Sequence, residues 1–484
     1  MTSLKTKTVN GLTWSAIDSF SSSGMRFIIG VIIARILAPS DYGLIGMIAI
    51  FLGLSEVFIG AGFGVALIRK TDRTEDDIST VFYFNIVASI IIYVGIYVAA
   101  PSIANFYDTP QLLKITRVVS LGIIIGAFGT IQRTLLTIKI NFKAQTKITI
   151  LSLIISGSIG ITLAYLGYGV WALAYQGLAS SFLTTFFLWY FSNWKPKWVF
   201  SLNSFKELFG FSSKIMGTEL LTSIFENIYE VVIGKLYSAN ELGFYSRAKG
   251  LVRLPSSSLT AVIQRVTFPV LSEIQNDHIR LVKNYQKLLK MLAFIMFPLM
   301  VLLGALGEPL IKLLLTEKWL PSVVLLQVLC FSYMFQPFSS INLNLLAVKG
   351  RSDLILKLEF VSKFLIVIVL FVSAPFGVFV MCLGTLISTI LSFLIITNFT
   401  GKYIDLSTFK QLKLLAPCFM TAVLAGAVAL VPSFFTNNPL YQLLIGAIMG
   451  SLIYLGIARF LKFEELSEIW NLISEKVKLL NKDE

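Results

Sequence analysis

Long apolar runs separated by short polar connections dominate the chain. Each run holds roughly 20 or more residues with few charges, the length that an α-helix needs to cross a bilayer. The runs predict fourteen membrane-spanning helices, at approximately 10–37, 41–67, 79–101, 115–138, 147–167, 169–191, 207–236, 244–271, 286–305, 321–348, 352–373, 376–399, 411–431 and 439–460. The pattern therefore predicts an all-α polytopic membrane protein.

Composition agrees with this interpretation. Of 484 residues, 56% are hydrophobic and 14% are charged, whereas soluble domains carry about 25% charged residues. The net charge of +14 does not indicate a nucleic-acid partner, because excess Lys and Arg in a membrane protein usually mark cytoplasmic loops. Three cysteines without a CxxC pair and a single histidine, His278, predict no metal site, no cofactor and no enzymatic histidine chemistry.

Basic residues alternate between the connections and predict the orientation. With the N-terminus inside, the inner connections carry most of the Lys and Arg, and the outer ones carry few. We therefore expect both termini to be cytoplasmic. The last residues, 461–484, place apolar side chains at helical spacing between charges, which predicts an amphipathic tail on the cytoplasmic surface.

One polar pattern occurs twice, 200 residues apart and without a gap. Residues 34–46 read ARILAPSDYGLIG, and residues 234–246 read GKLYSANELGFYS. The corresponding positions are Arg35 with Lys235, Asp41 with Glu241, and Gly43 with Gly243. In each copy a basic residue ends one helix, and an acidic residue followed by glycine opens the next. We expect the two turns to form an outer gate.

The repeat also predicts the domain organisation. Six spans separate the two copies, so both halves enter the membrane from the same side, as parallel repeats do in some secondary transporters. We expect an N-terminal six-helix lobe at 1–206, a second six-helix lobe at 207–400, two further helices at 401–460, and the tail at 461–484.

Ionisable side chains inside the spans are the candidate functional residues, because charges in lipid are costly and usually serve function. The cationic candidates for binding an anionic substrate are Arg26, Lys214, Lys249, Arg253 and Arg265. The acidic candidates for gating or for coupling to H⁺ or Na⁺ are Asp18, Glu56, Glu219, Glu226 and Glu230. Inter-helix ion pairs are the alternative interpretation of these charges, and self-pairing is favoured for Glu359 and Lys363, four residues apart. For Arg133, an anchoring role and a functional role remain equally open.

Two stretches resemble a known family: ARILAPSDYGLIGMIAIFLGLSEVFIGAGFGVALIRK and ANELGFYSRAKGLVRLPSSSLTAVIQRVTFPVLSEIQND. They are similar to Wzx-type polysaccharide flippases, in the colanic-acid and teichuronic-acid branch of the multidrug/oligosaccharidyl-lipid/polysaccharide exporter superfamily. The resemblance covers nearly the whole chain. Relatives often carry an acidic residue and a glutamine where this chain has Gly60 and Arg69, so no acidic role is carried over there.

The resemblance implies a V-shaped transporter of two six-helix lobes plus two C-terminal helices in the bacterial inner membrane. It implies that an oligosaccharide on undecaprenyl pyrophosphate moves from the cytoplasmic to the periplasmic leaflet by alternating access. Arg26 and Arg253, with Lys214 or Arg265, would meet the pyrophosphate while the prenyl chain stays in lipid. Membrane lipid, a polysaccharide polymerase and glycosyltransferases are the expected partners.

Other functions remain open at this point. A cation-coupled drug exporter of the same superfamily would have an acidic or aromatic cavity. The carboxylates of the seventh span, 207–236, keep that alternative open. A flippase for peptidoglycan precursors has the same physical requirements. A membrane polymerase or glycosyltransferase would need sizeable outer loops, and the connections here are short. A scaffold without transport is the remaining alternative.

Overall fold

The computed structural model describes residues 4–468 and residue 474, and those residues form helices and turns without a β-strand. Two compact units divide the chain, Met1–Ser246 and Arg247–Glu484. Ten helical stretches of the described residues are long and apolar enough to cross a membrane. Four more predicted spans, 169–191, 207–236, 244–271 and 352–373, are helical and are not among these ten. The prediction of an all-helical, multi-pass membrane protein is confirmed, and the count of fourteen spans stays a prediction.

The first unit contains nine helices among its described residues. They are α1 (Leu4–Ile36), α2 (Pro39–Glu56), α3 (Gly62–Arg69), α4 (Glu75–Phe106), α5 (Gln111–Val119), α6 (Leu121–Ile138), α7 (Phe142–Tyr165), α8 (Val170–Phe191) and α9 (Leu202–Leu236). α7 packs on α1 and α8, α6 packs on α4 and α8, and α9 packs on α2 and α3. Helix α10 (Ala239–Glu273) begins in this unit and continues into the second.

The remaining helices belong to the second unit. They are α11 (His278–Ala305), α12 (Gly307–Leu315), α13 (Ser322–Tyr333), α14 (Gln336–Val348), α15 (Ser352–Ser373), α16 (Val378–Gly401), α17 (Thr408–Ala429) and α18 (Pro439–Phe460). α16 packs on α13, α14 and α15, while α17 packs on α11 and α18. The buried Tyr285 hydroxyl lies 2.9 Å from Asn342 Oδ1 and 2.8 Å from Gln411 Oε1, which ties α11 to α14 and α17.

A buried ion pair fixes the start of α4. Thr74 caps the helix by accepting from the Asp77 amide at 3.2 Å, and Asp77 accepts from the Thr74 amide at 2.8 Å, a reciprocal capping box. Lys70 Nζ lies 3.0 Å from Asp77 Oδ2 and 2.9 Å from Glu207 Oε2. Hydrogen bonds to Glu207 and then Asp77 raise the pKa of Lys70. The connection between α3 and α4 is thereby joined to the start of α9.

The predicted tail is described only in part. Residues 464–468 are helical, and the remaining tail apart from residue 474 lies outside the described residues. Lys287 Nζ lies 2.7 Å from Glu468 Oε1, and Lys290 Nζ lies 3.7 Å from Glu464 Oε2. The start of the tail therefore docks on α11 through two ion pairs.

Candidate substrate site

A cavity of about 470 Å³ lies inside the first unit, between α2, α6 and α8. Its lining combines one carboxylate, Glu56, with one guanidinium, Arg133. The rest of the wall is apolar, glycine or hydroxyl: Leu52, Ile59, Gly60, Val119, Gly122, Ile123, Gly126, Ala127, Gly129, Thr130, Gly177, Ser180, Ser181, Thr184, Thr185 and Leu188. The volume falls within the range of small-ligand sites, about 300–1,000 Å³.

An irregular helical turn positions Glu56. α2 ends at Glu56, the chain forms a π-helical turn over Val57–Ala61, and α3 begins at Gly62. Such turns inside α-helices are frequent at functional sites because they redirect side chains. Here the turn contributes Ile59 and Gly60 to the cavity wall next to Glu56, and the Glu56 side chain is exposed. The predicted candidate Glu56 therefore belongs to the cavity.

Arg26, Asp18 and Arg133 form an electrostatic cluster at the same site. The charges of Arg133 and Arg26 both act on Asp18, which is half-buried. Arg26 is exposed, and its guanidinium donates to Ser22 Oγ at 3.0 Å and to the Ser22 carbonyl at 3.3 Å. We name Asp18, Arg26 and Arg133 the cationic cluster, because it contains two guanidinium groups. Arg133 links the cluster to the cavity.

The candidates on α9 are distributed along the helix and do not line this cavity. Lys214, Glu219 and Glu226 are exposed. Glu230 is buried, at 7% exposure, and its charge acts on Tyr107 near the end of α4. Glu219, Glu226 and Glu230 are expected on one face of this helix, and they differ in exposure.

The candidates on α10 lie in the second unit. Lys249 is half-buried and Arg253 is exposed. The side chain of Arg265 lies outside the described residues. A role for these cations in binding an anionic substrate stays a prediction.

The repeated turns approach each other through backbone. We name residues 37–43 and 237–243 the repeat turns. A Cβ on Gly43 would lie 1.8 Å from the Ala239 carbonyl oxygen, and a Cβ on Gly243 would lie 1.9 Å from the Pro39 carbonyl oxygen. Since Pro39 and Ala239 are also 200 residues apart, the contact is reciprocal. Glycine is required at both positions because any side chain would overlap the facing backbone.

Charged residues in the repeat turns and just before them make local contacts. Asp41 Oδ2 accepts from the Ala38 amide at 3.0 Å, and the Glu241 amide donates to Ser238 Oγ at 3.2 Å. Lys235 Nζ lies 2.9 Å from Asp108 Oδ2 and 5.3 Å from the centre of the Phe106 ring. Arg35 is exposed. These contacts stabilise the two turns and join the end of α9 to the end of α4.

Sequence reasoning left the role of Arg133 open and did not identify the polar wall formed by α6 and α8. The sequence does place hydroxyl residues one helical turn apart in an apolar run, at Ser180 and Thr184, with Ser181 next to Ser180. Hydroxyl side chains in membrane helices commonly bond their own backbone, so the sequence alone gives no reason to assign them to a site. The position Gly60, where relatives often carry an acid, lines the cavity, and Arg69 lies over the Phe211 ring at 4.4 Å.

Comparison with known proteins agrees with the predicted resemblance. Teichuronic acid biosynthesis protein TuaB of Bacillus subtilis (strain 168) is 26% identical over 471 residues, covering 94% of this chain and 96% of that protein. Lipopolysaccharide biosynthesis protein WzxC of Escherichia coli (strain K12) is 24% identical over 404 residues, covering 81% of each.

The fold is that of a solved flippase. A structure described as lipid II flippase MurJ in an inward closed conformation matches with a TM-score of 0.75 at 18% identity, covering 93% of this chain and 99% of that chain. The family model described as "Polysaccharide biosynthesis protein" matches residues 32–324, which is more than half of the chain. The chain belongs to this polysaccharide biosynthesis protein family, and the resemblance inferred from its sequence is confirmed.

Proposed function

We propose that this chain, a lipid-linked oligosaccharide flippase of polysaccharide biosynthesis, moves repeat units on undecaprenyl pyrophosphate from the cytoplasmic to the periplasmic leaflet of the bacterial inner membrane. The observation that carries the proposal is the cationic cluster beside a cavity within membrane-spanning helices. Ionisable side chains are costly there and usually serve function. An anionic lipid headgroup would pair with the two guanidinium groups.

The chemistry of the cluster suits a pyrophosphate. A guanidinium group can donate two parallel hydrogen bonds to phosphate oxygens, and such charge-assisted bonds are stronger than neutral ones. Arg26 is held by Ser22 through two donors, and its remaining N–H groups are available for a ligand. In the proposed complex Arg26 and Arg133 bind the pyrophosphate, and the prenyl chain remains in lipid.

Alternating access is the proposed mechanism. Two parallel six-helix lobes, 1–206 and 207–400, with two additional helices at 401–460, would rock about the bound headgroup. The reciprocal glycine contact of the repeat turns supports a closable outer gate, because corresponding turns of the two halves meet there. Both termini would then lie in the cytoplasm. Asp18, Glu56 and the acidic residues of α9 are the proposed sites at which H⁺ or Na⁺ biases the two states.

The proposed partners follow from the substrate. Glycosyltransferases would assemble the lipid-linked unit before transport, and a polysaccharide polymerase would consume it afterwards. The transporter itself needs no catalytic group for this step, since no covalent bond changes.

Deletion of the gene followed by complementation tests this proposal. We expect the deletion strain to lose its surface polysaccharide and to accumulate the lipid-linked saccharide in the cytoplasmic leaflet. Wild type should restore export, whereas Arg26→Gln and Arg133→Gln should not. Lys139→Gln is the matched control, since Lys139 is an exposed cation on the end of α6 outside the cavity lining.

Two results would contradict the proposal. Full export by folded, membrane-inserted Arg26→Gln and Arg133→Gln variants would remove the anion-binding role of the cluster. Normal surface polysaccharide in the deletion strain, together with changed sensitivity to small cationic compounds, would favour the drug exporter instead.

A further inference from the structure

Three glycines on different elements border open space at the cavity in the first unit. A Cβ placed on Gly60, Gly126 or Gly177 would meet nothing within 4 Å, although all three residues line the cavity. By contrast, a Cβ on Gly129 would lie 3.0 Å from Thr185 Oγ1, so Gly129 serves helix packing. The first three glycines therefore border empty space, and a ligand can approach their backbone directly.

Hydroxyl groups border the same space. Thr130 donates to the Gly126 carbonyl at 3.2 Å, and Thr185 donates to the Ile125 carbonyl at 2.9 Å, so both oxygens keep acceptor capacity. Across the described part of the chain, no hydrogen bond involves the hydroxyls of Ser180, Ser181 or Thr184. Each hydroxyl offers one donor and two acceptors, so the wall can donate hydrogen bonds to ligand hydroxyls or accept hydrogen bonds from them.

The charges of the cavity balance each other. Glu56 and Arg133 both line it, so the cavity offers an acceptor carboxylate and a donor guanidinium without a net charge of its own. Apolar side chains such as Leu52, Ile123 and Leu188 complete the wall. A ligand with hydroxyl edges and apolar C–H faces matches this lining better than a phosphate or a purely apolar molecule, because each surface meets a complementary wall.

We propose that this cavity is a saccharide subsite, which binds a pyranose ring of the lipid-linked substrate beside the pyrophosphate held by the cationic cluster. The inference rests on the proposed function and adds to it the place and the chemistry of sugar recognition. Arg133 belongs to both the cluster and the cavity, so the ring would follow directly after the phosphate. Gly60, Gly126 and Gly177 then limit the size of the sugar.

Native mass spectrometry of the full chain in detergent tests the subsite with two lipid probes. One probe is undecaprenyl pyrophosphate carrying a single glucose, and the other is undecaprenyl pyrophosphate without a sugar. The variants are Gly126→Leu and Gly177→Leu, which fill the cavity from positions where added atoms meet no protein. Gly95→Leu is the matched control, because Gly95 is exposed on α4 and a Cβ there also meets nothing within 4 Å.

We expect both cavity variants to bind the glucosylated lipid more than about tenfold more weakly than wild type, by the scale of steric discrimination in a shaped pocket. Binding of the lipid without sugar should not change. Thr184→Val is a smaller perturbation that removes one hydroxyl at constant volume. It should weaken only the glucosylated probe, which keeps the test valid if a leucine variant fails to fold.

The remaining outcomes overturn the inference. If all folded variants bind the glucosylated lipid as wild type does, the cavity is not a sugar site. If both probes weaken equally, the cavity holds the pyrophosphate instead. Arg26→Gln distinguishes the pyrophosphate site from the sugar subsite, since it should weaken the binding of both lipids. If wild type binds neither lipid, the proposed function and the subsite fail together.

Discussion

The reciprocal contact of the repeat turns gives a prediction whose magnitude follows from the structure. In Gly43→Ala the new Cβ would lie 1.8 Å from the Ala239 carbonyl oxygen, whereas ordinary contact begins near 3.4 Å. The opposing atom is backbone and cannot rotate away, so the turns must separate by roughly 1.6 Å, and overpacking of this kind costs about 1–3 kcal/mol. At about 1.4 kcal/mol for each tenfold change, the ratio of closed to open turns falls about 5- to 150-fold.

Thiol labelling from the outer side measures that ratio. Ser246 lies next to Gly46, since a Cβ on Gly46 would be 3.2 Å from Ser246 Oγ, one helical turn inward from the contact. A cysteine introduced as Ser246→Cys should react slowly with a membrane-impermeant reagent in an otherwise wild-type chain. It should react about 5- to 150-fold faster with Gly43→Ala added, because labelling follows the fraction of open turns.

The symmetry of the contact supplies a second perturbation. Gly243→Ala places its Cβ 1.9 Å from the Pro39 carbonyl oxygen, so it should accelerate labelling to a similar degree and lower export. Gly95→Ala is the control, because its Cβ meets nothing within 4 Å. Unchanged labelling in both folded variants would refute the reasoning that this contact closes the outer side.

The remaining predictions concern stability and coupling. Lys70→Met should lower the free energy of unfolding by about 2 kcal/mol, because the buried Asp77, 1% exposed, loses its cationic partner. Glu207→Gln should lower the free energy of unfolding by less than about 1 kcal/mol, since the Glu207 side chain is 61% exposed. Both are checked by thermal unfolding in detergent. Tyr285→Phe should destabilise the second unit by about 1–3 kcal/mol, because loss of the buried hydroxyl leaves an amide oxygen without its hydrogen-bond donor. Hydrogen exchange of α11 measures this. Glu56→Gln should make the flipping rate independent of an imposed proton gradient if this carboxylate couples transport, and a retained dependence contradicts that role.

The sequence predicts most helices because membrane spans are long and apolar. It does not predict where a span is interrupted. The run 321–348 divides into α13 and α14 with Pro337 in the first turn of α14, whereas Pro101 and Pro298 lie inside continuous helices. The run 41–67 contains the π-helical turn Val57–Ala61, for which the residues themselves give no comparable signal.

The candidate site was predictable only where a feature is local in sequence. The predicted pair Glu359–Lys363 is confirmed, with Nζ 3.9 Å from Oε2, because four-residue spacing on one helix determines the contact. The electrostatic interaction between Asp18 on α1 and Arg133 on α6 is not specified by any periodicity within either helix. Likewise, the 200-residue offset predicts that the repeat turns correspond, but only their packing explains why both carry glycine.

Reconstitution of the purified chain tests the central claim most directly. Proteoliposomes containing the lipid-linked saccharide would be assayed for its movement between leaflets, with wild type, Arg26→Gln and Lys139→Gln compared at equal protein content. The account predicts rapid movement with wild type and Lys139→Gln, and movement at the protein-free rate with Arg26→Gln. Movement at the protein-free rate with folded wild type, or equal movement with all three proteins, would contradict a flippase that binds its substrate through the cationic cluster.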